Sequence, residues 1–367
     1  MVRLTLARYP TAADRTQSHR PPQLPRDSAN TGDDVTVKHL FLTALLLLAS
    51  CASGSNAATT TSILPTTITT QATTTTSSTS NTTIPPTTTT TTIPRLDRTD
   101  AGALGRLHAD LDVLLAMGPR VAGSPAEEAA AQHFADQVTA ITGSPARVEP
   151  FSLPTGGTSW NVWSPEIGSG DRLILIGGHL DSVTGSPGAD DNASGVISIL
   201  ELLRRLAEDP PSQIRVVVVG FGAEERIGNL GHHFGSRHAV GVLEDQAALP
   251  DLMLSVDMVG LGGQIVCTDF RDGDPGFADE LVGVAAGVGV ELPRRSLGEI
   301  SDHVPFARAG VLAAHLWRPD NPHFHQPGDD QVSDEALIEN LLLLEALITH
   351  LSPPPVPPPP DAGSHQT

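Results

Sequence analysis

Between residues 95 and 351 the apolar positions of the chain fall in two alternating patterns, one spaced by three and four residues and one made of short uninterrupted runs. Such alternation marks helices exchanging with strands. The helical spacing predicts helices over Asp110–Met117, Ala126–Ile141, Gly195–Leu206 and Glu335–His350, the second rich in alanine with Pro125 near its first turn. The runs Leu173–Gly177 (LILIG), Ile214–Gly220 (IRVVVVG) and Leu252–Met258 (LMLSVDM) are mostly apolar at consecutive positions, so both faces of each must be covered. The predicted fold class is α/β, a three-layer sandwich with a mostly parallel central sheet, and about 250 residues suffice for its core.

The flanks lack this pattern. Residues 1–36 are polar, with several Arg and Pro, and make an odd leader; they are read as untranslated or disordered, with Val37 as a GTG start codon translated as Met. Residues 37–51 end in KHLFLTALLLLASC, a short cationic start, an apolar run of about ten residues and a small-residue cleavage site, as in an export signal. The run is too short to span a bilayer. Its last four residues, Leu48 to Cys51, resemble a bacterial lipoprotein box with Cys51 as the acylated residue; the alternative is a plain signal peptide with a chance cysteine. Residues 52–94 are dominated by Thr and cannot offset their ordering entropy by burial, which predicts a disordered stalk open to O-glycosylation. The Pro-rich tail, 352–367, is expected to be polyproline-like. The folded unit is therefore placed at 95–351, exported and held at the cell surface by a lipid, or secreted.

A net charge of -20 and a pI near 4.9 argue against a nucleic-acid partner, because phosphate binding needs clustered Lys and Arg. Only Cys51 and Cys267 are present, so with Cys51 in the anchor no disulfide framework exists. Cys267 reads as a small buried hydrophobe.

In open α/β sheets the working residues lie on loops beyond the carboxyl ends of strands, and the polar clusters of this chain fall there. LILIG is followed by His179 and Asp181, IRVVVVG by Glu224 and Glu225, and LMLSVDM contains Asp257; the loops GADDNASG and NPHFHQPGDD add Asp191 and His325. Any one of these acids alone would read as a helix cap or a solvated turn residue. Together they gather two imidazoles and at least four carboxylates at one end of a sheet, an arrangement too costly to bury without a cation. Mixed His and carboxylate donors with almost no cysteine suit catalytic zinc.

GPRVAGSP at Gly118–Pro125, then GGHLDS, GADDNASG, GAEE, SVDMVG, SDHVPF and HFHQPGDD resemble, in order, the secreted bacterial di-zinc aminopeptidases, the aminopeptidase Y-like zinc exopeptidases related in fold to glutaminyl cyclases. The resemblance covers nearly the whole globular part and implies the zinc-exopeptidase (phosphorylase/hydrolase-like) fold. It implies two Zn(2+) per chain, one on His179 and Asp257, the other on Glu225 and His325, with Asp191 bridging. It further implies that Asp181 orients His179, that Glu224 is the general base acting on a zinc-bound water, and that the Asp191–Asn192 peptide bond is cis. The substrates implied are extracellular peptides with a free N-terminus.

The stretch from Glu224 to Val240, EERIGNLGHHFGSRHAV, is longer than the simplest aminopeptidases carry. Its His232 and His233 read as surface histidines, with lining of the cleft as the alternative. GSRH and DHVPFARAGV also resemble glutaminyl cyclases, which use a single zinc, and this sets a glutaminyl-peptide cyclotransferase beside the aminopeptidase as an alternative. Asp302 and His303 are read as supporting or substrate-contacting residues. Trp160, Trp163 and Phe324 are candidate apolar walls, with core packing the more natural use of the two tryptophans. A third reading, an inactive surface binding module, would require lost ligands, and every expected position is filled.

Overall fold

The computed structural model describes residues 101–353. The leader, the lipoprotein signal with Cys51, the stalk and all but the first two residues of the Pro-rich tail lie outside the described residues. Helices α1 (Ala101–Ala116) and α2 (Pro125–Thr142) come first, followed by strands β1 (Arg147–Ser152), β2 (Thr158–Trp163), β3 (Ile167–Gly168) and β4 (Arg172–His179). A kinked turn, Ala189–Ser194, leads into α3 (Gly195–Glu208), then β5 (Ile214–Phe221), α4 (Phe234–Asp245), β6 (Leu252–Val256) and β7 (Val266–Phe270). The chain continues through α5 (Gly276–Gly287), β8 (Arg294–Leu297), α6 (His303–Arg308), β9 (Leu312–Trp317) and α7 (Asp334–Leu351).

The strands form one sheet in the order β1-β2-β5-β4-β6-β9-β7-β8, with β3 also on β5. Its centre, β5-β4-β6-β9, is parallel. The flanks are not: β2 and β3 run antiparallel to β5, and β7 antiparallel to β9. The parity of the central strands shows why their sequences are apolar at every position. Ile174, Ile176, Val216, Val218, Leu252 and Leu254 enter one core with α1, α2, α3, α5 and α7. Leu175, Val217, Val219 and Met253 enter another, under α4 and α6.

Helix ends follow local chemistry. Ser124 caps α2 by accepting from the Glu127 N–H, Pro125 opens its first turn, and Gly143 closes it with φ 67°. Ser333 caps α7 by accepting from the Ala336 N–H. Cys267 is fully buried, and burial pushes its thiol up to about 12. Among the described residues no helix is long and apolar enough to cross a membrane.

Candidate metal centre

The parallel register brings the sequence-predicted residues to one edge. His179 ends β4 opposite Phe221 of β5, three residues short of Glu224; Asp257 follows β6, and the turn Ala189–Ser194 carries Asp191. Asn192 joins these pieces: its Nδ2 donates to Val256 O at 2.9 Å, and its Oδ1 accepts from the N–H groups of Gly195 and Met258. The backbone approach is close. A Cβ on Gly195 would lie 2.2 Å from Val256 O. The Asp191–Asn192 peptide bond is cis.

Two ligand sets result, with Asp191 in both. His179 Nε2 lies 3.2 Å from Asp191 Oδ1 and 3.3 Å from Asp257 Oδ1. His325 Nε2 lies 3.1 Å from Asp191 Oδ2 and 3.2 Å from Glu225 Oε2. Zinc bonds of about 2.0–2.1 Å at tetrahedral angles separate donor atoms by roughly 3.3 Å, so these spacings fit the metal. The tautomer fits as well. His179 Nδ1 lies 3.1 Å from the carbonyl oxygen of Asp181, which can only accept, so the ring proton of the neutral imidazole sits there and the Nε2 lone pair faces two carboxylates. Glu225 Oε1 is buried without a hydrogen-bond partner among the described residues.

Electrostatics show the same demand for positive charge. Burial alone would depress His179, but Asp257, Asp181 and Asp191 raise it well above the ordinary histidine value. His325, opposed by burial and held by Asp191 and Glu225, is raised to about 10. Burial would raise Asp191, yet bonds from His179 and His325 hold it below the usual carboxylate range. Burial and the charge of Asp191 push Glu225 up to about 7. Glu224 is raised well above its ordinary value, first by burial and then by Glu225, Asp302 and Asp257, against the opposing charge of His179.

Asp181 has a further task that its spacing from His179 did not suggest. Its carboxylate accepts from the N–H groups of Glu224 at 2.9 Å and Glu225 at 3.1 Å, while Oδ1 stays 3.5 Å from His179 Nδ1. Asp302 and His303 stand in neither shared ligand set. Asp302 is buried, accepts from Ser236 Oγ at 2.6 Å and is pushed by burial up to about 7. His303 is buried and stacked on His315, with ring centroids 5.3 Å apart. The surface reading is corrected for His233, which is fully buried, with Nε2 2.9 Å from Glu224 Oε1. The reason is that the long segment folds back: His233 N–H donates to Glu224 O, and α4 starts at the next residue, Phe234. Trp163 is core, whereas Phe324 is 46% exposed and stacks on His325.

Sequence reasoning overlooked three supports. Arg120, fully buried, donates to Leu180 O, Pro187 O and Gly188 O, tying together the loop between His179 and Asp191. Burial lowers it only to about 10, so it remains a cation among the acids. Asp329 accepts from the N–H groups of Asp190 and Asp191, and Ser301 Oγ donates to Asp257 Oδ2 at 2.8 Å. All three sit inside motifs visible in the chain, but their partners are distant in sequence.

A mixed α/β sheet with imidazoles and carboxylates clustered beyond the carboxyl ends of its parallel strands defines an α/β protein with a candidate metal centre. Residues 162–343 match the model of Peptidase family M28. Aminopeptidase YwaD of Bacillus subtilis is 31% identical over 204 residues, 52% of this chain and 44% of its own length. The chain thus spans less than half of that relative. Two solved structures share the fold: a zinc aminopeptidase from Bacillus subtilis, with TM-score 0.60 and 19% identity over 67% of this chain and 94% of that one, and the glutaminyl cyclase of Tannerella forsythia, with TM-score 0.58 and 18% identity over 68% and 98%.

Proposed function

We propose that the protein is a zinc-dependent aminopeptidase that removes N-terminal residues from peptides, with two zinc ions per chain. The observation that carries the reading is the pair of ligand sets, His179–Asp191–Asp257 and Asp191–Glu225–His325, joined through one carboxylate, with Glu224 beside them. The name of the Bacillus relative supports an aminopeptidase over a cyclase.

When bound, the metal pair supplies Lewis acidity to the scissile carbonyl and lowers the pKa of a water towards about 7. Glu224 is the proton carrier: a carboxylate oxygen takes the water's proton and returns it to the leaving amine. Burial, the largest cause, raises its carboxyl well above the ordinary glutamate value, which suits a group that must hold the proton between the two transfers. Asp181 keeps Glu224 and Glu225 in register through their N–H groups. Free carboxylate oxygens at the site hold the substrate's α-amino group, which makes the enzyme an exopeptidase.

Glu224→Gln tests the assignment, with metal content and turnover of aminoacyl anilides measured together. Retained metal and turnover lower by at least about 100-fold are expected; loss of metal from a folded protein would make Glu224 a ligand. Including an N-terminal glutaminyl peptide separates the chemistries, because cyclisation without anilide hydrolysis would replace the aminopeptidase reading. We also propose cell-surface anchoring through Cys51, supported by the lipoprotein-box resemblance of residues 48–51.

A further inference from the structure

Among the described residues, besides the two sets that share Asp191 and a group of His179, Glu224 and Glu225 within the same cage, stands a further group of donors, Glu224, His232 and His233, whose donor atoms all lie within 4.8 Å of one another. Its centre is an anomaly. His233 is completely buried, and neither ring nitrogen has a hydrogen-bond partner among the described residues. Its Nε2 is 2.9 Å from Glu224 Oε1 yet out of line for a hydrogen bond. Two electron-rich atoms so close, without a well-directed proton between them, call for a cation. The backbone is also held in a costly shape: His233 has φ 60°, in the left-handed region that a bulky residue rarely adopts. That strain keeps the imidazole against Glu224 and places His232 on top of it, with ring centroids 3.7 Å apart.

His232 carries the support expected of a metal-binding histidine. Its Nε2 lies 3.3 Å from Glu299 Oε2, and with the ring proton engaged there Nδ1 is left as the lone-pair donor. Burial keeps His233 uncharged, so it too has a lone pair to give. Two neutral imidazoles and one carboxylate form a donor set for zinc or a similar borderline divalent cation, with a fourth position open.

We infer that Glu224, His232 and His233 form a third, inhibitory site for a divalent transition metal, which takes up zinc in excess over the ions held by the shared ligand sets. The inference rests on Glu224 being the proton carrier. A cation on its carboxylate removes the lone pair that must accept the water's proton, so filling the site stops turnover reversibly, without displacing the ions on Asp191. The lengthened segment that follows the Glu pair thus acts as a zinc sensor that closes the enzyme down when the metal is abundant.

The test is equilibrium dialysis of the zinc-loaded protein against graded zinc, with bound metal counted by mass spectrometry and turnover read from the same samples. Wild type is expected to take up one zinc beyond its resident complement, with activity falling as that ion binds. His232→Ala should keep its resident zinc and basal turnover, lose the extra ion, and shift the inhibition midpoint upward by at least about tenfold. His233→Ala should lose the extra ion as well; because His233 is buried, His232→Ala carries the decision if that variant does not fold. An extra ion present in wild type and missing from His232→Ala, in a protein with no amidase activity at any zinc level, would support the site and tell against the aminopeptidase reading. No extra ion in wild type, or equal uptake and inhibition in His232→Ala, overturns the inference.

Discussion

Arg120 and His303 are buried to the same degree, yet burial serves them in opposite ways. Arg120 keeps its charge because three carbonyl oxygens receive its N–H groups and four acids of the site attract it. Arg120→Met would leave those carbonyls unpaired and remove the cation that offsets the acids. We expect a loss of about 3 kcal/mol or more in urea unfolding, with weaker zinc retention, and only partial recovery in Arg120→Lys, whose ammonium lacks the planar fork. Among the described residues His303 finds no hydrogen-bond partner for either ring nitrogen, and burial pushes it from 6.5 down to about 3. In acid the unfolded chain takes a proton near 6.5 that the folded protein refuses until about 3. Stability from this residue is therefore complete above 6.5 and falls as the pH drops towards 3. Across that window His303→Phe should flatten the pH dependence of unfolding by about 1.4 kcal/mol per pH unit or less, measured as urea midpoints in metal-free protein.

At the scale of elements, the site depends on backbone approaches that admit no side chain. The first residue of α3, Gly195, touches the end of β6, and Gly235 in α4 would place a Cβ 2.2 Å from Gly222 O, next to the Glu pair. Gly195→Ala would push α3 from β6 and separate Asp191 from Asp257. We expect a stability loss of about 1–3 kcal/mol together with a fall in bound zinc, checked by thermal unfolding and metal analysis of the same sample. Four left-handed residues, Ala223, His233, Met258 and His325, lie at or beside site residues. The strain is concentrated where strands give way to ligand loops, as expected for a site held by its surroundings.

For the whole molecule, the cage couples metal to stability. The donors of the proposed sets come from β4, the turn before α3, the segments after β5 and β6 and the loop before α7, so metal held by them would cross-link the sheet edge. Metal at about 1,000 times its dissociation constant adds roughly 4 kcal/mol. At about 2–4 °C per kcal/mol for a domain of this size, chelation should lower Tm by on the order of 10 °C, reversed by zinc and reduced in Asp191→Asn. A Tm unmoved by chelator would show that the ions do not bind the folded state in preference to the unfolded one.

The sequence by itself determined the parallel centre of the sheet, because LILIG, IRVVVVG and LMLSVDM are apolar at successive positions and can only be covered on both faces. It also indicated which side chains gather, since His179, the Glu pair and Asp257 stand just at or beyond those runs and strand ends share an edge. Short flanking strands such as β1, with five of six residues not fully buried, and β8, with none buried, carry no such signal and were not legible. Nor was α4, whose Gly235 is required by contact with Gly222 and reads locally as a helix breaker. Only the tertiary structure decided the supports: Arg120 reaching carbonyls 60 to 68 residues away, Asp181 accepting from N–H groups 43 and 44 residues on, and His233 turned inward onto Glu224. Burial on two faces leaves its mark in local composition, whereas a hydrogen bond between distant segments leaves none until the chain has folded.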